Sequence, residues 1–137
     1  MPGRTLMLKA IPARRVRVKR AYRPAAAADG TRILVDRLWP RGVRKSAAAI
    51  DRWAKDVAPS TALRKWFAHD PARWPEFRGR YAAELHHHRD ELAELRALAR
   101  RKRVTLVFAA HDERHNHAVV LRRVLLGRWP PATARAE

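Results

Sequence analysis

The chain has 137 residues and a mass of 15.8 kDa, which leaves room for one globular domain of the usual size. It contains no cysteine, so disulfides, thiol nucleophiles, cysteine zinc sites and iron–sulfur clusters are excluded. Hydrophobic residues make up 47% of the chain, yet no run approaches the roughly 20 apolar residues of a membrane span. No secretory signal pattern is present. We therefore expect a cytoplasmic protein with its own core and no membrane partner.

Basic residues dominate the charge. The 31 lysines and arginines exceed the 13 acidic residues by 18, which suggests an anionic partner, although a GC-rich genome that favours arginine and alanine codons is an alternative explanation. Residues 1–23 hold eight basic residues and no acid. We interpret residues 1–14 as a basic flexible arm, residues 15–127 as the domain and residues 128–137 as a frayed tail.

The first half of the chain shows strand and loop patterns. Alternating apolar and basic residues predict an edge strand at 16–22, and the apolar run 33–35 predicts a strand covered on both faces. A proline and a glycine predict a rigid loop at 38–42. Residues 46–50 are predicted to form a short helix or turn, and residues 51–57 a brief strand.

The second half is dominated by helical periodicity. Ser60 is a good N-cap for a short amphipathic helix at 61–68. Apolar residues in steps of three and four predict one long helix from about residue 75 to 101. A buried strand is predicted at 104–110 and a helix at 116–126. The alternation of strands and helices predicts a single three-layer α/β domain with a mostly parallel, Rossmann-like sheet.

Polar residues follow three predicted strands. Ligands of parallel sheets bind beyond the carboxyl ends of the strands, which selects segments 36–42, 55–60 and 111–117. Arginine offers a planar fork that matches phosphate or carboxylate oxygens, and a helix N-terminus adds backbone donors. The sequence therefore predicts a site for a small anionic or phosphate-bearing ligand. Its predicted members are Asp36 and Asp112 as candidate general bases, and Arg37, Trp39, Arg41, Lys55, Ser60, Asn116 and His117 as ligand-binding residues.

Several of these residues have a structural alternative. Asp36 and Arg37 are also explained by an ion pair that closes the sheet end, and Ser60 fits a helix cap better than a nucleophile because no G-x-S-x-G motif surrounds it. Arg41 is either an anion clamp or the partner of Asp36. An anion clamp predicts that Arg41→Ala weakens binding alone, whereas an ion pair predicts that it destabilises the fold.

The aromatic and imidazole side chains are similarly ambiguous. Trp39 is either a stacking platform or part of the core. The three histidines of residues 111–117 lack a metal-ligand order such as H-E-x-x-H, and the run 86–88 points its histidines in different directions on a helix. We therefore predict no metal and no cofactor.

The run RILVDRLWPRG at residues 32–42 resembles the signature of the YeaO-like family, a bacterial domain of unknown function (DUF488). The resemblance covers about residues 16–126 and implies a compact cytoplasmic α/β domain with no particular reaction. The sequence departs from the family pattern in its long basic arm, its alanine stretch at 25–28, His111 and the histidine-rich helix. Further matches occur at Trp53, Lys55, 58–60, 63–67, 69–71, Trp74, Phe77, 80–81, 84–85, 105–106, 109–110, Asp112, 116–118 and 120–121.

Three functions are compatible with the sequence. The first is binding, with or without chemistry, of a small anionic ligand at the strand ends. The second is nucleic-acid binding through the basic arm and residues 100–103, without sequence readout because no recognition-helix, zinc-finger or RNP signature is present. In that case deletion of residues 1–14 weakens the salt dependence of binding. The third is a scaffold or partner-binding domain.

Overall fold

The computed structural model describes residues 10–129, and its frame is a sheet of four parallel strands. The order in the sheet is β1-β4-β2-β3, so the fourth strand lies between the first two. The predicted parallel α/β domain and the edge position of β1 are confirmed. The strands are β1 (Val16–Arg20), β2 (Thr31–Leu34), β3 (Arg52–Trp53) and β4 (Val104–Phe108). The helices are α1 (Lys45–Ala48), α2 (Thr61–Phe67), α3 (Trp74–Leu85), α4 (Arg89–Arg101) and α5 (His117–Leu125).

The two faces of the sheet are covered unequally. All five residues of β4 are buried, because the strand has neighbours on both edges and cover on both faces. On one face, the apolar sides of helices α2 to α5 pack against alternate strand residues to form the main core. On the other face, Leu34 and Val107 pack against Trp39, Val43 and Trp53. The predicted third layer is therefore a loop with the four-residue helix α1 rather than a full helical layer.

The prediction of one continuous helix at residues 75–101 is wrong. Helix α3 ends at Leu85, residues His86–His88 form a 3-10 turn, and α4 begins at Arg89. The backbone of His88, at φ −124° and ψ 42°, lies outside the helical region. Histidine is a weaker helix former than alanine or leucine. The apolar stripe continues in steps of three and four across the break, so periodicity alone does not detect it.

The predicted arm and tail are described only in part. Residues 1–9 and 130–137 lie outside the described residues. Within the described part of the arm, Ile11 is buried in the main core, and the carbonyl oxygen of Ala13 accepts a hydrogen bond from the guanidinium group of Arg122 at 2.9 Å. Residues 10–14 therefore lie against the domain. No helix between residues 10 and 129 is long and apolar enough to cross a membrane.

A buried ionic cluster lies beside the start of β2. The carboxylate of Asp29, a residue that is 1% exposed, accepts hydrogen bonds from Lys19 Nζ at 3.0 Å and Arg32 Nη1 at 2.6 Å. It also accepts the backbone N–H of Ala26 at 3.0 Å. Burial raises the pKa of Asp29, but these three donors outweigh it and the pKa is lowered overall. The carboxylate is therefore ionised and fully paired.

Candidate functional site

The carboxyl ends of β2 and β4 border a cavity of about 320 Å³. At this end the chain leaves β2 towards β3 and leaves β4 towards α5, which packs against β1. The connections therefore diverge between two neighbouring strands, which is the place where open α/β sheets bind ligands. The cavity volume falls at the lower end of the range for small-molecule sites, about 300 to 1,000 Å³.

The cavity combines an aromatic floor with cationic and polar walls. Phe67 and Phe77, which stack with a centroid distance of 4.3 Å, supply the floor. The segments that follow β2 and β4, the approach to α2, and the first turn of α5 supply the walls. The lining residues are Asp36, Arg37, Leu38, Ala58, Pro59, Arg64, Phe67, His69, Phe77, Ala109, Ala110, His111, His115, Asn116 and His117.

Asp36 joins the ends of the two central strands. One of its oxygens, Oδ2, accepts the backbone N–H of Ala109 at 3.0 Å. The other, Oδ1, lies 3.0 Å from His117 Nε2, which is also 3.0 Å from the carbonyl oxygen of Val35. Because both neighbours of Nε2 are acceptors, this nitrogen carries a proton. The Asp36 and His117 side chains, 17% and 14% exposed, thus form a largely buried carboxylate–imidazole pair in the cavity wall.

Arg37 ties the segment after β2 to the approach to α2. Its Nη2 donates to the carbonyl oxygens of Ala58 and Pro59 at 3.2 and 3.4 Å, and it makes no ion pair with Asp36. The alternative in which these two residues close the sheet end as an ion pair is therefore wrong. Arg37 Nε is buried without a hydrogen-bond partner in the described residues, whereas Asp36 Oδ1 has the His117 Nε2 contact at 3.0 Å. A buried donor without a partner is rare, and an acceptor on a bound ligand is one way to satisfy it.

Asp112 orients the loop between β4 and α5. Its Oδ1 accepts the backbone N–H groups of Arg114 and His115 at 2.8 and 3.0 Å, and its Oδ2 lies 2.8 Å from His115 Nδ1. The Arg114 N–H and then the His115 contacts lower the pKa of Asp112 to about 2. The residue itself is outside the cavity lining. A carboxylate with so low a pKa is a weak proton acceptor, so Asp112 positions His115 rather than acting as a general base.

The first turn of α5 is capped by Asn116. Its side-chain oxygen accepts the backbone N–H of Val119 at 3.2 Å, and its amide donates to the carbonyl oxygen of Asp112 at 2.9 Å. Asn116 is almost fully buried, and with His117 it belongs to the cavity lining. The structure therefore brings four of the predicted site residues to one cavity: Asp36, Arg37, Asn116 and His117.

Ser60 and Lys55 lie outside the cavity. Ser60 is the N-cap of α2, since its Oγ accepts the backbone N–H of Leu63 at 3.1 Å. The same hydroxyl donates to Glu84 Oε2 at 2.5 Å, which links α2 to α3. Lys55 is exposed and its Nζ lies 4.0 Å from the centroid of the Trp53 ring. Both residues therefore have structural contacts away from the predicted ligand.

The loop after Leu38 turns to the opposite face of the sheet. The indole N–H of Trp39 donates to the carbonyl oxygen of Val43 at 2.7 Å, and its ring meets Trp53 edge to face at 5.5 Å. Trp39 is thus a packing residue and not a stacking platform in the cavity. Arg41 is exposed, is outside the lining, and makes no ion pair with Asp36 or any other carboxylate of the described residues. The apolar packing of Trp39 and Val43 carries Arg41 away from the cavity.

Two polar lining residues, Arg64 and His69, lie outside the segments selected from the sequence, and two more, His111 and His115, lie within segment 111–117 but are not among the predicted site residues. Arg64 lies on α2, and His69 follows that helix in the left-handed region at φ 57°. The sequence contains a signal for Arg64 and His69. Helix α2 starts directly after segment 55–60, which is predicted to lie beyond a strand end, so the helix extends beside the same edge of the sheet. Four histidines line the cavity, yet no group of three or more metal-ligating side chains in residues 10–129 is placed to hold a metal ion.

Comparison with known proteins identifies the family. A family model described as "Inactive DUF488-N3 subclade" matches residues 15–136. Uncharacterized protein Rv3073c of Mycobacterium tuberculosis is 49% identical over 114 residues, which is 83% of this chain and 96% of the relative. Uncharacterized protein YeaO of Escherichia coli is 45% identical over 106 residues, which is 77% of this chain and 92% of that relative. No solved structure matches the chain. The chain belongs to the YeaO-like DUF488 family, in the subclade whose family model is described as inactive.

Proposed function

We propose that the cavity at the ends of β2 and β4 binds a small anionic ligand that carries a phosphate or carboxylate group and a compact apolar part. The observation that carries the proposal is the buried Nε of Arg37, a cationic donor without a protein partner in a cavity-lining residue. A phosphate or carboxylate oxygen is the acceptor that a guanidinium N–H binds most strongly. The stacked rings of Phe67 and Phe77 suit the apolar part of such a ligand.

The charge of the cavity supports an anion. Arg37 and Arg64 contribute two guanidinium groups, whereas Asp36 is the only acidic residue of the lining. The side chain of Arg64 is exposed and makes no hydrogen bond or ion pair within the described part of the chain, so it is available to a ligand. The amino-terminal end of α5 adds partial positive charge beside these side chains.

The site is better suited to binding than to chemistry. Asp112, one of the two candidate bases, has a pKa of about 2 and lies outside the lining. Asp36, the other, already accepts the Ala109 N–H and lies 3.0 Å from His117 Nε2. The family model's description as inactive agrees with this reasoning. We therefore propose that the domain recognises its ligand without transforming it.

Substitution of the cavity arginines should weaken ligand binding. For Arg64→Ala we expect the affinity for inorganic phosphate and nucleoside monophosphates to fall about 10- to 150-fold, because one charge-assisted hydrogen bond is worth about 1.5 to 3 kcal/mol. Arg37→Ala should have an effect of similar size. Isothermal titration calorimetry measures both affinities. Thermal unfolding of the Arg64 variant should match that of the wild type, because within residues 10–129 that side chain has no hydrogen bond or ion pair to lose.

Arg41→Ala is the matched control. It removes the same charge from an exposed loop arginine outside the cavity, so affinity and stability should both stay unchanged. An equal loss of affinity in the Arg41 and Arg64 variants would show that net charge and not the cavity governs binding. A wild type that binds neither inorganic phosphate nor nucleoside monophosphates would also contradict the proposal.

A further inference from the structure

A second groove of about 490 Å³ runs along the edge strand β1, at the opposite end of the sheet from the cavity. It lies beside the amino-terminal ends of β1 and β4, where Val16 pairs with Val104. Four arginines and no acidic residue line it. The lining residues are Ala13, Arg14, Val16, Arg17, Val18, Arg103, Val119 and Arg122.

The arginines of this β1 groove have no acidic partners. Arg17 and Arg103 both donate to the carbonyl oxygen of Ala28, at 3.3 and 3.1 Å, so two guanidinium groups converge on one neutral acceptor. Among the described residues, Arg122 donates to backbone carbonyl groups alone. No ion pair in residues 10–129 includes any of the four groove arginines.

The nearby carboxylates do not neutralise the groove. Asp29 is buried and already paired with Lys19 and Arg32. Glu113, in the loop between β4 and α5, pairs with Arg23, which follows β1. The basic surface is extended by residues 100–103 at the end of α4, which are exposed and form no ion pair within the described chain.

Repulsion between cations acts on the same surface. Burial and then the neighbouring Arg128 and Arg123 lower the pKa of Arg122. Such a cluster costs electrostatic free energy in the free protein, and a polyanion with several charges relieves that cost.

We infer that the β1 groove binds the phosphodiester backbone of duplex nucleic acid without reading its sequence. Backbone recognition needs arginines that contact phosphates, which the groove supplies. Binding of single strands relies on aromatic side chains that stack on bases, and the groove lining contains no aromatic residue. A duplex therefore fits the groove better than a single strand. This function is independent of the cavity, which lies at the other end of the sheet.

Substitutions in the groove are a cleaner test of nucleic-acid binding than deletion of the predicted basic arm, residues 1–14. Residues 1–9, with Arg4 and Lys9, lie outside the described residues, and deletion of residues 1–14 removes Ile11 from the core. That deletion would therefore confuse loss of binding with loss of stability. Substitutions of exposed groove arginines avoid this difficulty.

The test is the salt dependence of binding to a fluorescently labelled DNA duplex, measured by anisotropy with the full chain between about 50 and 200 mM salt. The groove variant carries Arg14→Ala, Arg17→Ala and Arg103→Ala. Its plot of log affinity against log salt should be shallower by about 0.9 for each lost phosphate contact, up to about 3 for the triple variant. The control variant carries Arg41→Ala, Arg44→Ala and Arg89→Ala, which removes the same charge from exposed sites elsewhere. Its slope should change by less than about 1.

Three results would overturn the inference. The first is an equal change of slope in the two triple variants, which would assign binding to net charge. The second is a wild type that fails to bind the duplex at about 50 mM salt. The third is tighter, groove-dependent binding to phosphatidylserine vesicles than to the duplex, which would make the partner a membrane. Titration of the cavity with nucleoside monophosphates is unaffected by all three results, so the two proposals fail separately.

Discussion

Replacing Asp29 by asparagine should lower the free energy of unfolding by about 3 to 5 kcal/mol, because the substitution leaves buried cations without a counter-charge. The Arg32 side chain is 4% exposed and bonds to Asp29, and Lys19 is 20% exposed and bonds to the same carboxylate. Chemical denaturation of the wild type and Asp29→Asn measures the loss. Asp90→Asn, which changes an exposed carboxylate at the start of α4, should stay within about 0.5 kcal/mol of the wild type.

The pH dependence gives an independent check on Asp29. Its pKa is lowered in the folded state, so its contribution to stability is fully present above the unfolded value of about 3.9. That contribution is lost as the pH falls through the folded value. The difference in stability between the wild type and Asp29→Asn should therefore be constant near neutral pH and shrink below about pH 4. A difference that is already small at neutral pH would contradict the buried ionic cluster.

Phe77→Ala should destabilise the domain by about 3 to 5 kcal/mol, the usual loss when a buried phenylalanine is truncated. Phe77 is 2% exposed and stacks on Phe67, Trp74 and Tyr81 with centroid distances of 4.3, 5.8 and 5.8 Å. It belongs to the main core and to the cavity floor at once. Thermal and chemical unfolding measure the change.

Leu38→Ala is the control for Phe77, because Leu38 also lines the cavity but is 64% exposed. Its substitution should change the free energy of unfolding by no more than about 0.5 kcal/mol. If Phe77→Ala and Leu38→Ala had similar small effects, the aromatic floor would not be part of the core. A large effect of Phe77→Ala alone indicates that the aromatic floor of the cavity is part of the folded core.

The sequence pattern predicts the sheet and most of the helices. A helix or strand that is buried on one face shows apolar residues at a regular spacing, and a strand that is buried on both faces shows a short apolar run. The pattern does not predict the break at His86–His88, since the apolar stripe runs across that turn. It also overestimates the strand at 51–57, where pairing ends after Trp53 and Lys55–Val57 form a 3-10 turn. Where an element ends depends on local hydrogen bonds that a hydrophobic pattern does not contain.

The sequence predicts the residues of the candidate site correctly where they directly follow a strand. Asp36 and Arg37 come within three residues of β2, and their positions follow from the strand itself. Trp39 and Arg41 are farther along the loop, whose direction is set by packing of Trp39 on the opposite face. Arg64 is missed because its position depends on how α2 packs against the sheet, which is a tertiary property.

The most direct test of the cavity proposal is a crystal structure of the protein with a nucleoside monophosphate bound. We expect its phosphate to lie in the cavity, with oxygens within about 2.7 to 3.2 Å of Arg37 Nε or the Arg64 guanidinium group, and its base near Phe67 and Phe77. Density for the ligand at another surface, or an empty cavity at a ligand concentration that saturates binding in solution, would contradict the account.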